Sequence, residues 1–492
     1  MIEKLSCLNG NLIKNGITTL LHKWVLPGVV CLLLVSGNVV QAQLPFAPAS
    51  FGPDIRFKAD ILLVLAHPDD ETIVSGYLAR AILEGHKRIA VVLITTGNRG
   101  DNSYGYEAGD ALGQIRIQEL RRALDVLGIT DFWTLGQQDT PSQNVLWSLG
   151  NWNHGQVLQN LVRLVRLTRP EVILTLLPAY VAGENHGDHQ AAGVVATEAF
   201  DLAGDLTVFP EQVSPPRNFQ GASSLTDGLR PWQPKKIYYF TDAYESFNAY
   251  WHDKQISSPF RKNFLIGAGP EYSTSEISPS KHVSYGKIAA EEQSIFLTQG
   301  GKIGQEALAK GDVSGFEFPV HFIFGKSVVK VKPTSDIFEG ILPGAAPFIR
   351  VPGYQQPPIK EELEFSIGDP WAFYENFWKA HDVERLSQLL PIPEVALNKG
   401  ETLHVPLLIR NNTETAKEVS LTTIKPMGWS EIQDSSRYRI GPHDILFTQA
   451  VLVAPTSLGT DWQEIIWKAV ANGQPAGTVK IRVYLGKGGM PQ

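Results

Sequence analysis

Three short stretches, residues 60–66, 89–95 and 171–177, consist almost wholly of apolar side chains. A strand that is apolar on both faces needs cover on both, which a parallel sheet between two layers of helices supplies. Helical spacing recurs between them, over 71–84 with Gly85 as a stop, over 114–127 and over about 155–168. A further strand falls near 131–135. The alternation predicts an α/β fold, a Rossmann-like, mostly parallel sheet with helices on both faces. Chemistry in such sheets collects in the crevice at the carboxyl ends of the strands.

The chain of 492 residues is 43% apolar and 19% charged, enough for a substantial core and for more than one domain. Its net charge of −7 comes with no block of like charges, which argues against a nucleic-acid partner. Both cysteines, Cys7 and Cys31, lie near the N-terminus. There Lys4, Lys14 and Lys23 precede an apolar run over 25–40, and Val40-Gln41-Ala42 offers a cleavage site. Residues 1–42 therefore read as a signal peptide, and the protein as exported, periplasmic or secreted, with no stable membrane insertion after cleavage. An uncleaved anchor is the other reading, although the run is short and interrupted for a bilayer span. The mature chain would hold no cysteine, so a metal site must use histidines and carboxylates.

The α/β pattern occupies residues 43–340, weakening after 241, with a helix still legible over 284–299. Residues 331–370 are rich in Pro and Gly, and 341–391 read as a linker and interface segment. Within it Trp371, Phe373, Tyr374, Phe377 and Trp378 have roughly helical spacing. This reads as a helix buried at a domain interface rather than an aromatic ligand platform. From 392 to 492 the period becomes two: Leu403, Val405, Leu407 and Ile409 alternate with more polar positions, as do Val479, Ile481, Val483 and Leu485. With Asn472-Gly473 as a turn, a C-terminal antiparallel β-sandwich is expected as an accessory domain.

Two clusters carry chemistry. His67-Pro68-Asp69-Asp70-Glu71 directly follows the first strand, and Asn185-His186-Gly187-Asp188-His189 follows the strand at 171–177. Each alone reads as a turn whose Asp caps the next helix. Two such clusters at the exits of two buried strands instead point into one crevice, with imidazoles and carboxylates enough for a metal, a base and an oxyanion donor. The other histidines show no such grouping and read as surface or packing residues.

Ala66-His67-Pro68-Asp69-Asp70-Glu71 with His186-Gly187-Asp188-His189 resembles the paired motifs of the LmbE-like, or PIG-L-like, zinc N-deacetylases. The two leading histidines stand 119 residues apart. Thr95 to Gly100 is similar to that family's TNGxRG element, and Arg116-Ile117-Gln118-Glu119-Leu120 to its R-x-x-E-L helix. Tyr285 to Ala290, with Thr298-Gln299-Gly300, resembles a segment of longer, exported members. The resemblance covers roughly 58–330. It implies one Zn2+ per chain held by His67, Asp70 and His189, with Asp69 as the general base. It also implies His186 as the group that stabilises the oxyanion or protonates the leaving amine, Asp188 as the carboxylate that orients His186, and Arg99 and Arg116 on the substrate side. Two features depart from the family: Gly187 stands where proline is usual, and 101–113 is an insertion beside the pocket.

The expectation is an exported zinc-dependent hydrolase that removes an N-acyl group, acetyl in the first instance, from an amino sugar or its conjugate. An exported carbohydrate-binding protein with a structural or vestigial metal site is the non-catalytic alternative. A metal hydrolase acting on an ester or phosphate is a third reading. Oligomeric state is left open.

Overall fold

The computed structural model describes residues 53–180, 185–214, 225–241, 269–342, 361–389, 393–432, 436–457 and 462–486. The signal-peptide expectation for 1–42 lies outside them. Among the described residues no helix is long and apolar enough to cross a membrane.

The first sheet holds β1 (Ile61–Leu65), β2 (Ile89–Thr95), β3 (Asp131–Gln137), β4 (Val172–Leu176) and β5 (Lys236–Phe240). A small ribbon, β6 (Glu271–Ser273) with β7 (Pro319–His321), precedes its last strand, β8 (Ile323–Ser327). The order is β3-β2-β1-β4-β5-β8, parallel except that β8 runs against β5. Every residue of β1, β2, β4 and β5 is buried, which is why the first three read as unbroken apolar runs. The helices α1 (Ser75–Leu83), α2 (Gly109–Leu127), α3 (Val145–Asn151), α4 (His154–Thr168) and α5 (Gly187–Leu202) complete the layers. From β1 the chain proceeds outward to β2 and β3, then returns to place β4 on the other side of β1. The join between β1 and β4 is therefore the switch point of the sheet, where the carboxyl ends of neighbouring strands part and leave a crevice.

The helix expected over 284–299 ends at Gln293, and two further boundaries differ from the sequence reading. The helix expected at 71–84 opens as a 3₁₀ turn, Asp70–Ile73, before α1. Helix α2 begins at Gly109, ahead of the start expected at 114 and inside the 101–113 insertion. Gly113 lets its first turns lie against the β2 exit, since a Cβ there would stand 2.7 Å from Thr96 Oγ1. The last five residues of the 101–113 insertion are thus helix.

The second body is a sandwich. One sheet runs β10-β17-β16-β12-β14 and the other β13-β15-β11-β9. The strands are β9 (Leu363–Ile367), β10 (Glu394–Leu397), β11 (Thr402–Asn411), β12 (Lys417–Ile424), β13 (Ser430–Ile432), β14 (Arg437–Ile440), β15 (Ile445–Val453), β16 (Trp462–Ala471) and β17 (Gln474–Leu485). Pairings are antiparallel apart from β10 with β17. The inward residues of β11 and β17 are the ones that alternate in the sequence, and they meet Trp467 and Ile465 of β16 in a core of their own. Asn472 and Gly473 both have positive φ, 49° and 82°, at the β16–β17 hairpin.

Strand β9 falls within the stretch read as a linker. It pairs with Leu407 to Asn411 of β11 and buries Leu363 in the sandwich core. A piece spanning 392–492 lacks this strand. It is expected to melt about 10 °C below one spanning 361–492, since one buried leucine and one edge ladder are lost. Equal melting temperatures by circular dichroism would place the boundary at 392.

Candidate active site

The turn after β1 is held by its own backbone. Asp70 Oδ2 accepts from the Ala66 and His67 N–H groups, both at 2.8 Å, which aims Oδ1 at the imidazoles. Asp69 sits at φ 111°, a conformation that Asp and Asn tolerate better than most residues. Arg116 of α2, itself buried, locks that turn. Its Nη1 donates to Gly97 O, and its Nη2 to Pro68 O and to Asp69 Oδ1 at 3.1 Å. Expected on the substrate side, Arg116 lines the cleft but spends these donors on the protein.

The second cluster arrives from the strand beside β1. His186 occupies the N-cap position of α5 without a capping side-chain hydrogen bond, and Asp188 and His189 lie in the first turn. His67 Nδ1 and His189 Nε2 are 3.1 Å apart, His189 Nε2 and Asp70 Oδ1 3.1 Å, and His67 Nδ1 and Asp70 Oδ1 3.6 Å. Tetrahedral zinc with bonds of 2.0–2.2 Å sets its donor atoms about 3.3 Å apart, so this triangle fits the ion. His67, His186 and His189 also bring donor atoms within 4.8 Å of one another, in a wider arrangement. The Asp70 triangle is the tighter fit and contains the three residues the motifs single out.

Asp188 corrects one expectation. Its Oδ2 stands 3.4 Å from His67 Nε2 and accepts from Thr140 N at 2.7 Å, so it orients His67 rather than His186. A carboxylate on the far nitrogen of a ligating imidazole fixes the ring's tautomer and direction. His186 instead stacks on His189, with ring centres 4.2 Å apart. Burial, then the neighbouring His189 and His67 rings, hold its imidazole far below the ordinary range and therefore neutral. Burial pushes the Asp69 carboxyl up to about 6, against the pull of Arg116. Against the same push, His189 and His67 keep Asp70 well below the usual carboxylate range.

Sequence reasoning missed Asp139. This buried residue follows the edge strand β3, where nothing in Gln138-Asp139-Thr140 marks it. Its two oxygens accept from Gly97 N and Arg99 N, and Oδ1 lies 4.0 Å from His67 Nε2. Glu71 ends the first motif. Its Oε2 accepts from Asp69 N, and burial together with the nearby Glu292 of the helix Tyr285–Gln293 pushes its carboxyl well above the ordinary range; burial likewise pushes Glu292 up to about 8. Arg99 is exposed at the rim, its Nη2 on Gln138 Oε1. Apart from Glu71 and Glu292, these residues line a cleft of about 620 Å³.

Residues 62–200 match the family model described as PIG-L, GlcNAc-PI de-N-acetylase. The chain carries a PIG-L domain. The 1D-myo-inositol 2-acetamido-2-deoxy-alpha-D-glucopyranoside deacetylase of Geodermatophilus obscurus is 34% identical over 167 residues, which is 31% of this chain and 56% of that protein. The protein of the same description from Streptomyces avermitilis is 34% identical over 180 residues, 33% and 58% of the two chains. The chain thus spans a little over half the length of these curated relatives. Among solved structures, the N,N'-diacetylchitobiose deacetylase from Pyrococcus horikoshii is 22% identical, covering 37% of this chain and 60% of that one, with a TM-score of 0.28.

Gly187 has a local reason in this PIG-L domain. Its N–H donates to Ser142 O at 2.8 Å, and a Cβ would stand 2.6 Å from that same oxygen. Proline there would remove the donor and clash. Gly187→Ala is expected to push the 140–144 loop outward at a cost of about 1–3 kcal/mol and to loosen the Thr140 hold on Asp188. A melting curve and kcat/KM check this, and an unchanged pair of values would contradict it.

Proposed function

We propose that this protein is a zinc-dependent N-deacylase that removes acetyl from an amino sugar or its conjugate. The observation that carries the reading is the triangle of His67 Nδ1, Asp70 Oδ1 and His189 Nε2 at the switch point of the sheet, with Asp69 beside it in the same cleft. These three residues would hold one Zn2+, which when bound polarises an amide carbonyl and activates water. Asp69 takes the proton from the attacking water, and Arg116 fixes which way its carboxylate points. The neutral His186 offers an N–H to the oxyanion that forms on the carbonyl. Asp188, and Asp139 behind it, keep the far side of the His67 ring in place. Arg99 at the rim is available to substrate hydroxyls.

A non-catalytic binding protein has no use for a base gripped by a buried arginine, which disfavours that alternative. Export is part of the same reading and is supported by residues 1–42 alone. The test is a panel of N-acetylated amino-sugar conjugates, acetate esters and phosphate esters offered to the zinc-loaded full chain. Free amine from the first group is expected; phosphate release with two metals per chain would favour a different hydrolase.

A further inference from the structure

A second cavity, of about 310 Å³, lies where the sandwich meets the PIG-L domain. Ser142 and Gln143 line both this cavity and the reaction cleft, so the two hollows adjoin at the 140–144 loop. Its walls are chiefly aromatic and apolar. Tyr180 follows β4, and Trp371 opens the helix Pro370–Ala380, with ring centres 5.2 Å apart edge to face. The other aromatics of that helix are used in packing. Tyr374, Phe377 and Trp378 are buried, with Trp378 Nε1 on Pro178 O and the Tyr374 hydroxyl on Gln190 Oε1. Trp371 is only partly covered. Along β11, Leu403, His404, Val405 and Pro406 all line this cavity; Leu403 and Val405 also belong to the sandwich core, while His404 is exposed.

We infer that the cavity holds the sugar residue next to the N-acylated one, so that the substrate is a glycan of at least two pyranose rings. This rests on the proposed reaction in the adjoining cleft. A pyranose is apolar on its C–H faces and polar around its edge. An aromatic ring can take the face, while polar side chains in the lining, the exposed His404 among them, can meet edge hydroxyls. An alkyl aglycone would be served by walls without such polar groups. The accessory sandwich then selects substrate by lending one wall to the site.

Calorimetry on the zinc-loaded full chain with glucosamine and its β-1,4-linked dimer, amines that cannot be deacylated again, tests this apart from turnover. The dimer is expected to bind about tenfold more tightly than the monomer, the scale on which a well-packed aromatic contact acts. Trp371→Ala and His404→Ala, on separate elements, should each erode that preference. Equal affinities in the parent, or a preference that survives both substitutions, would overturn the inference, as would an octyl glucosaminide that binds more tightly than the dimer. Failure of the parent to deacylate any amino sugar would count against the reaction, while the binding preference would still be read directly.

Discussion

Asp69→Asn is expected to keep its zinc and lose about 10²–10⁴-fold in turnover, the contribution of a positioned general base. The substitution is nearly silent in structure. Asn tolerates the φ of 111° at this position as well as Asp does. Its carbonyl oxygen can still accept from Arg116 Nη2, which now meets Asp69 Oδ1 at 3.1 Å. What is lost is a group able to take a proton. If Asp69 only shaped the turn, the variant would turn over substrate at the parent rate. Zinc analysis and amine release on the same preparation distinguish the two outcomes.

His189→Ala is expected to abolish activity by a different route, through loss of the metal. His189 Nε2 is one corner of the triangle, and a three-ligand zinc site cannot readily spare a corner. The variant should retain less than roughly a tenth of an equivalent of zinc after dialysis. This is a cleaner test than Asp70→Ala. The Asp70 carboxylate also accepts from two buried N–H groups, and its removal would cost about 1–3 kcal/mol for each donor left unpaired. A His189→Ala protein that held a full equivalent of zinc would contradict both the triangle and the wider set with His186, since each includes His189.

The parts of this molecule legible in its sequence are those where one residue type repeats for one physical reason. Strands β1, β2 and β4 are covered on both faces, so every position is apolar. Strands β11 and β17 are covered on one, so every second position is. The two motifs were legible because several polar residues crowd together just where an apolar run stops. Asp139 was not, because it is a single carboxylate after a half-exposed edge strand, and its importance lies in the two loop N–H groups it gathers. The role of Asp188 could not be read either. Spacing sets it beside His186 in the chain, yet the first turn of α5 turns its carboxylate toward His67. Strand β9 lay hidden in a Pro- and Gly-rich stretch because its partner, β11, follows some forty residues later, beyond any local signal. Trp371 shares its helix with Tyr374, Phe377 and Trp378, and sequence spacing alone did not separate the residue that lines a cavity from those that pack.

The most direct measurement is amine released from an N-acetylated amino-sugar conjugate by the full chain as zinc is returned to metal-free protein. The site described here predicts that amine and acetate appear in equal amounts, and that the rate rises in proportion to bound zinc and levels off at one equivalent per chain. A fully zinc-loaded protein that releases no amine, or a metal-free protein that releases it at the same rate, would contradict a zinc deacylase.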